Sequence, residues 1–131
     1  MRSIFRSITT SLFIVLIGLS PARAEIIAVI GTGMMGSSMG VRLAEQGHTV
    51  VYGSRSPNSE RIQALLKRTG PEATAVSQPD AAEQAEIVVL AVPRAVAEKV
   101  VAQLKPSLSG KLVLDLGNSV KGGDDGLPQY I

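Results

Sequence analysis

Short apolar runs alternate along the chain with stretches in which apolar residues recur every three or four positions. This pattern predicts strands and helices in turn. Residues 25–30 form the first run, and Met39, Val41, Leu43 and Ala44 then lie along one side of a helix that Gly47 stops. Residues 49–52 read as a second strand, and 59–68 as a polar helix with Ile62, Leu65 and Leu66 inward, ended by Gly70-Pro71. A short third strand is expected at 73–76, and at most a helical turn or two at 80–84. The run 86–92 is apolar from Ile87 onward, as a strand buried on both faces must be, and Pro93 closes it. An amphipathic helix at 94–104 has Val96, Val100, Val101 and Leu104 on its inner side. A fifth strand follows at 111–116, broken by Gly117-Asn118-Ser119.

The first strand runs directly into Gly31-Thr32-Gly33-Met34-Met35-Gly36, a G-x-G-x-x-G at the mouth of a helix. Gly31 suits a tight turn, Gly33 has no side chain to block a pyrophosphate, and Gly36 lets the helix pack closely on the strand. Unpaired amides and the helix dipole then face the phosphate. In a chain with 13 glycines the spacing alone would mean little. The strand before it and the helix and strand after it make a βαβ unit. Strand and helix in repeated succession call for an α/β fold, a Rossmann-type doubly wound parallel sheet with right-handed crossovers, truncated after about five strands.

Ligands of such sheets lie beyond the carboxyl ends of the strands. After the second strand comes Gly53-Ser54-Arg55-Ser56, where an NAD-selective site carries an acid for the ribose 2′-hydroxyl. No acid appears until Glu60, and Arg55 stands in its place, which favours the 2′-phosphate of NADP over a surface arginine that merely caps a loop. Ala91, Val92 and Pro93 would pass beneath the ribose and pyrophosphate, though a proline that ends a strand is an equally good reading. Asn118 with Ser119 either meets a nicotinamide carboxamide or makes an ordinary turn. Asp124-Asp125 matches no metal loop and reads as two solvated turn carboxylates. His48, the only histidine, opens the second strand at the amino end of the sheet, where a packing or surface role is expected. No side chain reads as a general acid, and no metal ligand set is seen.

Residues 1–24 have the form of a signal peptide. Arg2 and Arg6 make a basic head, residues 8–19 are mostly apolar, and Ala22-Arg23-Ala24 fits cleavage after Ala24. The run is too short for a helix across a bilayer of about 30 Å, so no stable membrane anchor is expected. Periplasmic or secreted placement follows if the signal is used, and cytoplasmic placement otherwise. The remainder suffices for one small domain and not for two. Arg2, Arg6 and Arg23 leave with the leader and no acid does, so the formal charge of +2 falls below zero. With no basic stripe and only two Phe and two Tyr, no nucleic-acid partner is expected. Cysteine is absent, which excludes thiol catalysis.

Residues 27–36, 47–55 and 88–93, with their Gly31-Thr32-Gly33, Gly53-Ser54-Arg55 and Ala91-Val92-Pro93, together resemble the N-terminal domain of the NADP oxidoreductases that use the deazaflavin coenzyme F420. The same domain recurs in the pyrroline-5-carboxylate reductase group and in the cytosolic part of six-transmembrane ferric reductases. The resemblance runs from about Glu25 to the end. It implies that Ser54 and Arg55 hold the 2′-phosphate, that NADP is the cofactor, and that a deazaflavin or flavin is the second substrate. Family enzymes continue past the fifth strand into a helical part that shapes the second substrate's site and often a dimer. A homo- or hetero-oligomer, or a completing partner, is therefore implied. Three readings stay open: an incomplete NADP-dependent oxidoreductase domain, a nucleotide-binding module without chemistry, and a degenerate fragment.

Overall fold

In a computed structural model that describes residues 23–117, with the backbone of 120–122 and 128–130, each of the five apolar runs finds a parallel neighbour. The strands are β1 (Ile26–Ile30), β2 (Thr49–Gly53), β3 (Thr74–Val76), β4 (Ile87–Leu90) and β5 (Leu112–Asp115). They form one sheet in the order β3-β2-β1-β4-β5. Parallel neighbours need crossovers. These are α1 (Met34–Glu45), α2 (Glu60–Thr69), α3 (Gln78–Gln84) and α4 (Arg94–Leu108). The chain works outward from β1 to β3 and then returns through α3 to β4 on the other side of β1. The order therefore reverses between β1 and β4, which is where this class of sheet opens its ligand crevice.

β1 shows why a continuous apolar run was the right signal. Ala28 and Ile30 pack with Ala81, Ala82 and Ala85 of the α3 segment and Ala97, Val100 and Leu104 of α4. Ile27 and Val29 pack on the opposite face with Leu65 of α2 and with Met39, Val41, Leu43 and Ala44 of α1. Both faces are covered, so neither set of alternating positions is free to be polar.

Some expectations need correction. α4 buries Ala97, Val100 and Leu104, while Val96 and Val101 are 42% and 37% exposed. Val100 and Leu104 face inward as expected, but Ala97 takes the place of Val96 and Val101, because so small a residue weighs little in a hydrophobicity pattern although it packs into the core. α4 also runs to Leu108 with Pro106 in its last turn, past the expected end at Leu104. α3 begins two residues early, because the Ser77 hydroxyl oxygen accepts from the Asp80 N–H at 3.3 Å and Pro79 suits a first turn. Ser77-Gln-Pro-Asp80 is a capping sequence, and it sets the start of α3 ahead of the apolar pattern. Finally, β6 (Val120–Gly122) and β7 (Pro128–Tyr130) pair antiparallel, with Val120 opposite Tyr130. Three-residue strands are too short to show alternation. Among the described residues no helix is long and apolar enough to cross a membrane.

Candidate functional site

The sheet register sets the ends of β1, β2 and β4 level, since Ile30 lies opposite both Gly53 and Leu90. Gly31, Ser54 and Ala91 therefore leave the sheet side by side. Backbone bonds carry the ladder one step further: Gly31 N–H donates to Gly53 O at 3.2 Å, Ala91 N–H to Ile30 O at 2.8 Å, and Ser54 N–H to Val76 O at 2.9 Å. The three stretches singled out in the sequence thus meet at one edge.

The three glycines of the loop differ in what demands them. Gly31 has φ +101°, and a Cβ there would sit 2.5 Å from the Ala91 carbonyl oxygen. A Cβ on Gly36 would overlap the Gly31 carbonyl oxygen and lie 3.2 Å from the Ala91 Cβ. These two glycines are required by the packing of the protein on itself. Gly33 is not: its φ of −70° and ψ of −169° suit any residue, and nothing lies within 4 Å of its missing Cβ. It caps the N-terminus of α1, whose first-turn N–H groups lack intrahelical acceptors and whose first turn holds no acid. Gly33 thus borders open space at the positive end of a helix.

Around this cradle the polar groups are few. Thr32 is buried; its carbonyl accepts from Arg61 Nη1 at 2.7 Å and its hydroxyl from Arg61 Nη2 at 3.0 Å. Arg61, in the first turn of α2, was missed in the sequence. The available signal was a cation at the end of a helix where the dipole disfavours one. Ser54 is buried, and its Oγ accepts from the Ser56 N–H at 3.1 Å. That bond folds the loop and leaves the hydroxyl proton to donate elsewhere. Arg55 is exposed and enters neither described ion pair, Arg23 with Glu86 or Arg42 with Glu45. Met34 and Met35, which follow Gly33, are 89% and 50% exposed.

Ala91 and Val92 close the floor of the loop, touching Gly31 through the Ala91 carbonyl and the Val92 Cγ1. Pro93 caps α4 with φ −57°. Asn118, Ser119, Asp124 and Asp125 lie outside the described residues. His48 sits at the opposite end of the sheet, as expected, where its Nδ1 accepts from the Glu25 N–H at 3.3 Å. It lines a cavity of about 160 Å³ with Thr69, Glu72 and their neighbours, well away from the glycine loop. Among the described residues no cluster of three or more acids and histidines is placed to hold a metal.

Among the described residues, the one clearly shifted titration belongs to Tyr52. Burial raises its pKa above the ordinary tyrosine value, and the hydrogen bond to Thr69 offsets part of that. The Thr69 hydroxyl donates to Leu65 O, so the Tyr52 O–H donates to Thr69 Oγ1, at 2.8 Å in each case. Tyr52 lies against Gly40, where any Cβ would collide with its ring, and its hydroxyl is committed to joining β2 and α2. It is a structural tyrosine. What remains at the carboxyl edge is an anion cradle with an exposed guanidinium beside it, suited to binding and orienting a phosphorylated ligand.

Known proteins resemble this chain in sequence and fold. The family described as NADP oxidoreductase, coenzyme F420-dependent, matches residues 26–119. An F420-dependent NADP reductase from Methanocaldococcus jannaschii is 31% identical over 99 residues, which are 70% of this chain and 44% of that protein. A crystal structure from Arthrobacter sp. FB24, assigned as an F420-dependent NADP-reductase, superposes with a TM-score of 0.68 at 26% identity, covering 82% of this chain and 51% of that one. An imine reductase from Aspergillus terreus, solved with NADPH4 and dibenz[c,e]azepine, gives a TM-score of 0.60 at 26% identity over 72% of this chain and 32% of its own. The chain spans about half the length of such relatives, or less.

Proposed function

Since the chain belongs to the coenzyme F420-dependent NADP oxidoreductase family, we propose that it is the NADP(H)-binding part of an oxidoreductase that moves hydride between NADPH and a deazaflavin- or flavin-like acceptor. The observation that carries this reading is Gly33. Neither backbone strain nor a crowding atom requires glycine there, and a side chain at this N-cap would occupy space that the protein leaves open at the head of α1. A diphosphate needs that space, and the residues present fit it. NADP(H), when bound, supplies the transferable hydride.

The roles of the chain's own residues follow from their positions. The α1 N-terminus with Gly31, Thr32 and Gly33 would take the pyrophosphate, and the backbone of Met34, Met35 and Gly36 would donate to it. The Ser54 hydroxyl and the Arg55 guanidinium would take the 2′-phosphate, since both stand at the end of β2. Ala91, Val92 and Pro93 would form an apolar floor that excludes water beneath the sugar. Asn118 is proposed for the nicotinamide end. No general acid is invoked, because orienting two cofactors supplies most of what hydride transfer needs. A completing partner or further chain is proposed to build the acceptor's site, since the match covers only 44% and 51% of two such relatives.

The test is Gly33→Val. Its backbone angles tolerate valine and no neighbour is displaced, so the variant is expected to fold, with only the small loss of thermal stability that valine causes at an N-cap, and to lose saturable NADPH binding by calorimetry. A folded Gly33→Val protein with wild-type affinity would refute the cradle. NADPH oxidation with a deazaflavin or flavin acceptor then separates an oxidoreductase from a binding module.

A further inference from the structure

Arg61 ties α2 to the glycine loop across 29 residues of chain, through two hydrogen bonds to the single residue Thr32. Its place is unfavourable on local grounds, because the first turn of a helix is the positive end of the dipole. A residue that breaks a local rule without a local reason marks a site where something else is gained. Here the gain is visible. The planar fork of a guanidinium meets the Thr32 carbonyl and hydroxyl together, which the single point of a lysine ammonium does not.

The Thr32 carbonyl and the Gly33 N–H belong to one planar trans peptide unit and point in opposite directions. Holding the carbonyl toward α2 therefore fixes the direction of the Gly33 N–H, at a residue where an added Cβ would meet nothing within 4 Å. We infer that Arg61 is a positioning residue: by gripping Thr32 it locks the 32–33 peptide, and with it the donor row that opens α1, in the orientation that receives a diphosphate. The inference rests on the cofactor reading given above, but it makes a separate claim. A ligand of the 2′-phosphate would matter to NADP alone, whereas a lock on the pyrophosphate loop matters equally to every dinucleotide.

Arg61→Gln and Arg61→Lys in the full chain test it with two readouts. Amide hydrogen exchange of the free protein is expected to speed up at the two hydrogen-bonded amides that bracket the loop, Gly31 (to Gly53 O) and Ser37 (to Gly33 O), in Arg61→Gln and less so in Arg61→Lys, while the other β1, β2 and β4 amides keep their protection. Calorimetric titration is expected to show NADP+ and NAD+ losing affinity by the same factor, roughly tenfold, as befits losing charge-assisted bonds at one remove from the ligand. Unchanged exchange at Gly31 and Ser37 overturns the inference, and so does exchange that rises throughout the sheet, which would mean a role in the fold. A loss confined to NADP+ overturns it too, by making Arg61 a direct phosphate ligand. If the unaltered chain binds neither nucleotide, the cofactor reading falls, and the exchange comparison still decides whether Arg61 locks the loop.

Discussion

Arg55 stands exposed where β2 ends, and no carboxylate precedes Glu60 to grip a ribose diol. NADPH is therefore expected to bind more tightly than NADH, by on the order of tenfold to a thousandfold for one or two charge-assisted bonds, and less so as salt rises. Arg55→Asp removes the cation and supplies a ribose acceptor, so it should reverse the order. Titration of both nucleotides by their own fluorescence checks this, and equal affinities in the wild type would remove Arg55 from the site. Tyr52 makes a second prediction. Its folded-state pKa is raised, so the stability it contributes is complete below the unfolded tyrosine value of 10.0 and is lost as pH rises toward the folded value. Tyr52→Phe is expected to lose about 1 kcal/mol at neutral pH with the bond to Thr69. It should also flatten the fall in the urea midpoint above pH 10 relative to wild type. Parallel alkaline limbs for the two proteins would contradict the assignment. Arg55 was legible because its place after a strand identifies it. Tyr52 as a link to Thr69, and Arg61 as a link to Thr32, were not, because each pairing joins residues that only the fold brings together.

Within elements, burial depends on the surface that meets the sheet more than on hydrophobicity. Leu104 of α4 is fully buried, whereas Leu112 of β5 is 57% exposed. Leu104→Ala is expected to lose about 2–5 kcal/mol and Leu112→Ala less than roughly 0.5, a contrast that urea unfolding would measure directly. Similar losses at both positions would mean that β5 is covered in solution. α3 supplies the matching case for a cap. Ser77 is the first residue outside the helix and its oxygen meets the Asp80 N–H, so Ser77→Ala should cost about 0.5–2 kcal/mol. Strand positions were legible from apolar runs because both faces of β1 and β4 are covered. The inner face of α4 was not, because valine and alanine compete for it and only contact with the sheet decides.

At the scale of the whole molecule, the first described residues bear on the proposed export signal. Arg23 reaches Glu86 at 3.3 Å, but both side chains are largely exposed, at 79% and 42%, and such a pair adds little to stability. Cleavage after Ala24 would therefore leave the sheet intact. Expression in a bacterial host with an export apparatus is expected to yield a periplasmic product that begins at Glu25, and intact mass would show it. A cytosolic product that retains Met1 would rule the signal out.

The strand–helix alternation, the glycine loop and the place of Arg55 just past β2 were all determined by the sequence itself, because each depends on spacing along the chain or on position after a strand. The tertiary structure alone distinguished Gly33 from Gly31 and Gly36. Identical residues in one motif are demanded for different reasons: two by the atoms that crowd them and one by the space in front of it. It alone paired Arg61 with Thr32 and Tyr52 with Thr69, and it alone chose which face of α4 turns inward. Periodicity reports what an element could bury. What it does bury, and which distant side chains it meets, is settled only when the crossovers stack the elements on both faces of one sheet.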